Sequence, residues 1–183
     1  KQNVGTEFTV CFTFKLDGAA PESHAIPQLQ NCRALVVDDD FNTCDSVTCM
    51  LQEIGLRAEW TLSGKEAVLR TRQAVMRGDQ YSVYVIDWLL PDMNGIEVAR
   101  RIRKEIREDV RIIVLTAYDW SDIEEEARAA GVTAFCSKPL FLSELQGALQ
   151  SIVTSQEGSG ETKEKAHHQH SGAILLAEDN ELN

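Results

Sequence analysis

Five short apolar segments, separated by helical patterns, constrain the fold of this chain most strongly. They lie at residues 33–37, 56–62, 84–87, 111–115 and 133–136. Between the first two, Val47, Leu51 and Ile54 recur at helical spacing before Gly55, which is typical of an amphipathic helix and its end. Strands that alternate with helices indicate βαβ units, whose right-handed crossovers place helices on both faces of a parallel sheet. We therefore predict a doubly wound α/β fold with five parallel strands and five helices over residues 32–153.

The helix boundaries are predicted from capping residues and apolar spacing. Ser63 and Glu66 have the spacing of a capping box and begin a second helix that runs to about Arg77. The fourth helix is predicted at residues 121–130. The inward side chains of the third and fifth helices are predicted to be Ile96, Ala99, Ile102 and Ile106, and Leu142, Leu145, Leu149 and Ile152.

Composition excludes several kinds of partner and site. The 183 residues carry a formal net charge of −11, which argues against non-specific binding to nucleic acid because nucleic acid is a polyanion. The five cysteines include no C-x-x-C pair, so we expect a reducing compartment rather than a zinc site or disulfide scaffold. No apolar run reaches the about 18 residues of a membrane span, and we expect no signal peptide. Since the chain opens at Lys1 and stops within a pattern, we expect a piece of a longer protein.

Polar side chains stand at the ends of four predicted strands. Asp38 and Asp39 follow the first strand, Asp87 ends the third, Thr116 ends the fourth and Lys138 follows the fifth. Each has an ordinary explanation when taken alone: a helix cap, a turn residue, a strand residue or a surface lysine. Because the carboxyl ends of parallel strands share one edge of a sheet, their joint occurrence favours a common site.

The residue types at this edge suit phosphoryl chemistry. Clustered carboxylates repel one another unless a cation neutralises them, and a few hard oxygen ligands open to water favour Mg²⁺ over zinc. A hydroxyl and an ammonium beside such a metal match the oxygens of a phosphoryl group, whose transfer needs mainly positioning and charge neutralisation. A carboxylate can itself be the nucleophile and form an acyl phosphate.

These motifs resemble the receiver domains of two-component response regulators. The matching segments are Val36-Val37-Asp38-Asp39, Asp87 with Pro91-Asp92-Met93-Asn94-Gly95, Leu115-Thr116-Ala117 and Lys138-Pro139. The resemblance covers residues 32–153 and implies a flavodoxin-like sheet in the strand order 2-1-3-4-5. It also implies that Asp87 is the phospho-acceptor and ligates Mg²⁺, or alternatively Mn²⁺, together with Asp39 and the main-chain carbonyl of Leu89.

The resemblance assigns further roles around the acceptor. Asp38 would act on the metal largely through water, and Lys138 would bind the phosphoryl group. Thr116 would follow that group on activation, while Phe135 takes the position of an aromatic switch. The peptide bond between Lys138 and Pro139 is expected to be cis.

The flanking segments resemble parts of a hybrid sensor histidine kinase. Residues 1–17 contain an alternating apolar segment similar to the last strand of the kinase ATP-binding domain, and residues 18–31 are predicted to be a linker. Residues 154–171 are predicted to be a second, flexible linker; for their three histidines we favour a solvated linker over a metal or phosphate site. Residues 172–183 repeat the strand-then-acid pattern and resemble the start of a second receiver.

The resemblance also implies partners and location. The donor would be a phosphohistidine domain, either that of the parent kinase or a histidine phosphotransfer protein, and the parent kinase could form a homodimer. No nucleic acid partner and no direct membrane contact are expected for these residues, and the expected location is cytoplasmic even if the parent is anchored in a membrane. Because the chain carries no ATP-binding motif, we expect it to accept phosphate without consuming ATP.

Two positions depart from the common family pattern. Leu89 and Tyr118, two residues after Asp87 and Thr116, are bulky where polar residues often stand. Bulk at these positions would obstruct the water that attacks an acyl phosphate, so slow self-dephosphorylation is predicted.

Two other functions stay open on the sequence. A receiver-like interaction module that is never phosphorylated would keep the fold without the chemistry. A flavodoxin-like nucleotide-binding protein would instead need a Gly-rich or Ser/Thr-rich loop after the first strand. The acidic residues 38–40 stand there and would repel a phosphate that lacks a metal.

Overall fold

A computed structural model describes residues 9–13, 24–106, 110–117 and 123–157 of the chain. The strands are β1 (Arg33–Val37), β2 (Arg57–Thr61), β3 (Tyr81–Asp87), β4 (Arg111–Thr116) and β5 (Ala134–Ser137). The helices are α1 (Phe41–Ile54), α2 (Gly64–Arg77), α3 (Gly95–Glu105), α4 (Glu124–Ala129) and α5 (Leu142–Glu157), preceded by a 3₁₀ turn at Pro27–Leu29.

The five strands form one parallel sheet in the order β2-β1-β3-β4-β5, which confirms the predicted fold and strand order. The register aligns Val37 with Ile86 and Asp87 with Leu115, so β1, β3 and β4 end near one another. The carboxyl ends of the strands therefore form a single edge, as the sequence predicted.

Successive side chains of the inner strands pack alternately into two separate apolar cores. Tyr84 and Ile86 of β3 belong to the core beneath α2, α3 and α4, whereas Val83 and Val85 belong to the core beneath α1 and α5. Because both faces of β3 are covered, its apolar run is continuous rather than alternating. This burial explains why the strand signal was clear in the sequence.

The predicted ends of α1 and α2 agree with the structure, whereas the helix predicted at residues 121–130 is regular only over Glu124–Ala129 within the described residues. Gly55 follows α1 with a φ of 108°, a left-handed conformation that favours glycine. The side chain of Ser63 accepts a hydrogen bond from the main-chain N–H of Glu66 at the start of α2. The predicted inward residues of α3 are all buried, and in α5 Leu145, Leu149 and Ile152 are buried while Leu142 is half-buried.

The fifth strand begins one residue later than predicted. Thr133 exchanges two hydrogen bonds with Ile112: its N–H donates to the Ile112 carbonyl at 2.7 Å, and its hydroxyl accepts from the Ile112 N–H at 2.8 Å. A side-chain hydroxyl thus replaces a main-chain acceptor at this point, and regular pairing starts at Ala134.

Part of the segment predicted to be a linker packs into the domain. Ile26 and Leu29 are buried in the core beneath α1 and α5, with 3% and 0% of their surface exposed. The N–H groups of Ile26 and Asn31 donate to the carbonyls of Ile54 and Gly55 at 3.1 and 2.9 Å. The packed unit therefore includes residues from His24 onward, ahead of the boundary predicted at residue 32.

Several predicted features lie outside the described residues. Of the alternating segment near the N-terminus, only residues 9–13 are described, and they have no regular secondary structure. The three linker histidines and residues 172–183 are among those not described. Within the described ranges, no helix combines the length and apolar character needed to cross a membrane.

Candidate functional site

Three consecutive acidic residues after β1 have three different roles. The carboxylate of Asp38 is buried and accepts hydrogen bonds from the Asp40 N–H at 2.9 Å and from the Lys138 ammonium at 2.7 Å. Asp40 caps α1, accepting from the N–H groups of Asn42 and Thr43 at 3.3 and 3.0 Å. Asp39 is exposed and faces the same edge of the sheet. Asp40 is therefore the cap of α1, whereas Asp38 and Asp39 face the carboxyl edge of the sheet.

Asp87 completes a cluster of carboxylates at the end of β3. Oxygen atoms of Asp38, Asp39 and Asp87 all lie within 4.8 Å of one another. Burial raises the pKa of Asp87 above its ordinary value; the hydrogen bond and charge of Lys138 oppose this shift, while the charges of Asp38 and Asp39 add to it. A negative charge on Asp87 is therefore costly unless a positive charge lies beside it.

Lys138 supplies one such positive charge. Its Nζ atom lies 2.7 Å from Oδ2 of Asp38 and 2.8 Å from Oδ1 of Asp87. Burial by itself lowers the pKa of Lys138, but the two carboxylates outweigh burial and the pKa is raised. The side chain is placed by the loop after β5, where the Lys138 N–H donates to the Thr116 carbonyl at 2.9 Å and the bond to Pro139 is cis, as expected.

The donor set fits a hard divalent cation. The cluster contains three carboxylates and one ammonium, so two formal negative charges are in excess. Two of the carboxylates, Asp38 and Asp87, are buried, whereas Asp39 is open to water. Oxygen ligands that remain partly hydrated are typical of Mg²⁺ sites.

Thr116 and Phe135 occupy the two neighbouring strands. Thr116 is the last residue of β4, one position beyond the pairing partner of Asp87, and only 2% of its surface is exposed. Phe135 lies in β5 opposite Val114 and packs, half-buried, against the core beneath α2, α3 and α4. Leu89 is 55% exposed, whereas Tyr118 lies outside the described residues. The structure therefore brings together Asp38, Asp39, Asp87 and Lys138, with Thr116 at the same edge.

The loop after Asp87 contains a residue, Asp92, that lies in a matching sequence segment but received no individual role from the sequence. The carboxylate of Asp92 accepts from the N–H groups of Gly64 and Lys65 at 3.1 and 2.8 Å and from the Ser63 hydroxyl at 3.0 Å. Burial alone raises the pKa of Asp92, but these hydrogen bonds outweigh it, so its pKa lies below the ordinary value. No sequence signal pointed to this contact, because it joins segments about 28 residues apart that meet only in the folded sheet.

A cavity of about 530 Å³ opens beside the carboxylate cluster. It lies between α1 and the loop before α5, and its lining includes Thr43, Met50, Lys138, Pro139 and Leu140. The cavity has mainly apolar walls and extends to Lys138 of the site.

Comparisons with known proteins agree with this geometry. The response regulator receiver domain matches residues 34–150. The sensor histidine kinase AtsR of Burkholderia thailandensis is 32% identical over 158 residues, covering 81% of this chain and 25% of that protein. Hybrid signal transduction histidine kinase L of Dictyostelium discoideum is 31% identical over 132 residues, covering 70% of this chain and 8% of that protein. The chain thus spans a quarter or less of these relatives.

A solved structure shows the same similarity. The receiver domain of the histidine kinase CKI1 from Arabidopsis thaliana, complexed with Mg²⁺ and BeF₃⁻, is 29% identical with a TM-score of 0.59. The match covers 69% of this chain and 93% of that domain. The similarity therefore extends over essentially the whole of that domain and over the packed unit described here.

Proposed function

The chain belongs to the response regulator receiver family, and from this premise we propose that Asp87 accepts a phosphoryl group from a phosphohistidine donor in a Mg²⁺-dependent reaction. The observation that carries the proposal is the cluster of three carboxylates within 4.8 Å, with the Lys138 ammonium bonded to two of them. This arrangement combines a nucleophile, a place for a metal and a cation for phosphoryl oxygens.

Asp87 is the carboxylate best placed to react. Both oxygens of Asp38 are engaged, one by the Asp40 N–H and the other by Lys138, which suits a fixed supporting group. Asp39 is exposed to water, where an acyl phosphate would be open to hydrolysis. Asp87 is buried at the strand end, beside Lys138. A carboxylate oxygen of Asp87 would bond to phosphorus as the phosphorus–nitrogen bond breaks, and that electron pair would return to the imidazole nitrogen of the donor.

Asp39, Asp87 and the main-chain carbonyl of Leu89 would hold the metal directly, and Asp38 would act on it largely through water. When bound, Mg²⁺ supplies the positive charge that neutralises the carboxylates and a transferring phosphoryl oxygen. Lys138 would turn from the Asp87 oxygen toward a second phosphoryl oxygen, so the arriving negative charge keeps a cationic partner. The CKI1 receiver domain, complexed with Mg²⁺ and BeF₃⁻, supports the same ligand chemistry here.

Thr116 and Phe135 would transmit the effect of phosphorylation from Asp87 to the protein surface. Thr116 ends the strand beside Asp87, so a short movement would bring its hydroxyl to a phosphoryl oxygen. Phe135 lies half-buried on the next strand, and it would follow into the space that Thr116 vacates. The proposed result is a reshaped surface around α4, β5 and α5, set by a local charge event.

We place this receiver within a hybrid sensor histidine kinase, as the similarity to AtsR and kinase L supports. Residues 1–17 would then end the ATP-binding domain, and residues 172–183 would begin a second receiver. The donor would be the histidine of the parent kinase or of a phosphotransfer protein, and the parent would form the homodimer. The compartment proposed for this part of the protein is the cytoplasm.

The test is phosphorylation of the purified chain by a small acyl phosphate and by a phosphorylated histidine domain, each with and without Mg²⁺. Intact-mass measurement should show one added phosphoryl group only with Mg²⁺, and Asp87→Asn should abolish it. Asp45→Asn, which removes an exposed carboxylate from α1, is the matched control and should behave as wild type. Modification that is independent of Mg²⁺, or that persists in Asp87→Asn, would contradict the proposal.

A further inference from the structure

The loop that follows Asp87 is held at both of its ends. At its base, Leu89 and Asn94 form an isolated bridge, and the Gly95 N–H donates to the Trp88 carbonyl at 2.9 Å. At its far side, Asp92 reaches the first turn of α2 through the three hydrogen bonds described above. The loop is thus tied to a helix that lies apart from it in sequence.

Asp92 accepts hydrogen bonds from main-chain N–H groups that have no acceptor within α2 itself. The first N–H groups of a helix have no partner within the helix and carry a partial positive charge. The carboxylate of Asp92 takes two of them, on Gly64 and Lys65, while Ser63 takes that of Glu66. The N-terminus of α2 is therefore capped partly by its own residue and partly by the loop.

Packing reinforces the same contact. A side chain at Gly64 would place its Cβ 2.6 Å from a methyl of Val98 and 2.9 Å from Met93, so the loop and α3 lie directly against the start of α2. Met93, the neighbour of Asp92, is half-buried against the core beneath α2 and α3. The loop therefore has a defined position that depends on α2.

We propose that Asp92 is a positioning residue for the metal site: by fixing the loop to α2, it sets the place of the Leu89 carbonyl and so the affinity for Mg²⁺. The proposal rests on the proposed function in that Leu89 is taken to be a ligand. Leu89 lies between Asp87 and Asp92, so without the Asp92 contacts its segment is held only at the base of the loop, by the bridge to Asn94 and the Gly95–Trp88 hydrogen bond. Groups that orient metal ligands from outside typically change metal affinity by about 10–100-fold when removed.

The experiment measures Mg²⁺ binding by calorimetry and main-chain hydrogen exchange in the metal-free chain, without any phosphodonor. Asp92→Ala should raise the dissociation constant by about tenfold and speed exchange in residues 88–94. Asp92→Asn, which keeps one acceptor oxygen, should recover part of the affinity. Ala74→Gly, a buried change near the other end of α2, is the control for lost stability and should leave the dissociation constant unchanged.

Each outcome decides between the two proposals. If Asp92→Ala binds Mg²⁺ as tightly as wild type, or if Ala74→Gly weakens binding equally, the positioning role is overturned even if Asp87 is phosphorylated. If Asp92→Ala alone weakens binding, the positioning role is supported. Failure of phosphorylation on Asp87 in wild type would then overturn only the proposed function.

Discussion

Lys138, just after β5, and Asp87, the last residue of β3, form an ion pair at the edge of the sheet, with Nζ 2.8 Å from Oδ1. The same ammonium lies 2.7 Å from Asp38, so one cation holds two buried carboxylates together. This cation would share the carboxylates with Mg²⁺ and later meet the phosphoryl group. We therefore expect the Lys138 ammonium to weaken metal binding and to speed phosphoryl transfer.

Replacing Lys138 by Met should separate these two effects. Without the ammonium, the repulsion between two nearby cations is lost, so Mg²⁺ should bind several-fold more tightly. Phosphorylation should nevertheless slow, because one cation for the phosphoryl oxygens is missing. Calorimetry and phosphorylation rates check the two outcomes, and Lys138→Arg serves as the variant that keeps the charge. Equal Mg²⁺ affinity in wild type and Lys138→Met would contradict this account.

Gly95 should not tolerate a side chain, whereas Gly147 should. A Cβ at Gly95 would lie 2.6 Å from the main-chain oxygen of Asp87, whereas one at Gly147 would meet nothing within 4 Å. Gly95→Ala should therefore destabilise the fold by about 1–3 kcal/mol and weaken Mg²⁺ binding. Gly147→Ala within α5 should stabilise it by about 0.5–1 kcal/mol. Denaturant unfolding and Mg²⁺ titration measure both; similar effects of the two changes would refute the steric argument.

Leu29 should contribute to stability although it lies in the predicted linker. Its side chain is fully buried in the core beneath α1 and α5, so Leu29→Ala should cost about 2–4 kcal/mol. Gln28→Ala, at the exposed neighbouring position, should have little effect. Unfolding by urea measures the difference, and wild-type stability of Leu29→Ala would show that residues 24–31 are dispensable.

A cluster around Glu59 should give the domain a specific pH dependence. The Glu59 carboxylate accepts hydrogen bonds from Tyr81, at 2.8 Å, and from Arg33. Burial alone raises the pKa of Glu59, but these bonds outweigh it, so the pKa is lowered. Burial and the bond to Glu59 raise the pKa of Tyr81 to about 12.

The pKa shifts of Glu59 and Tyr81 determine how each group changes the stability of the domain with pH. The stability due to Glu59 should be present above the carboxyl pKa of the unfolded chain and be lost as the pH falls through the lower folded pKa. The stability due to Tyr81 should be present below about pH 10, the unfolded pKa, and be lost as the pH rises through about 12. Glu59→Gln should flatten the acid limb of a plot of unfolding free energy against pH, whereas Glu125→Gln on α4 should not. An unchanged acid limb in Glu59→Gln would rule out this role.

The lifetime of the phosphorylated state should depend on the two bulky positions. Leu89 is more than half exposed near Asp87, and the bulk of Leu89 and Tyr118 is predicted to obstruct an incoming water. Leu89→Asn combined with Tyr118→Glu should shorten the half-life of the phosphate on Asp87 severalfold. Loss of the phosphoryl mass over time measures it, and equal half-lives would count against the prediction.

Regular periodicity made most of the fold predictable. The strands β1, β3 and β4 are buried on both faces, so their apolar runs are continuous, and the helices carry apolar residues at helical spacing between clear caps such as Ser63 and Gly55. The packing of residues 24–31 could not be predicted in this way. Ile26 and Leu29 are only two apolar side chains beside a proline and form no periodic pattern, so their burial depends on contacts with α1 and α5 that no local signal encodes.

By itself, the sequence determined the order of the strands and helices and which polar side chains stand at the strand ends. Both are encoded locally, by apolar spacing and by the residue that ends each run. Only the tertiary structure decided which of these groups meet. In the structure, Asp40 caps α1, and Lys138 forms ion pairs with Asp38 and Asp87. Asp92 accepts a hydrogen bond from the start of α2. The reason is that such contacts join distant segments, whose distances exist only once the parallel sheet has brought its strand ends to one edge.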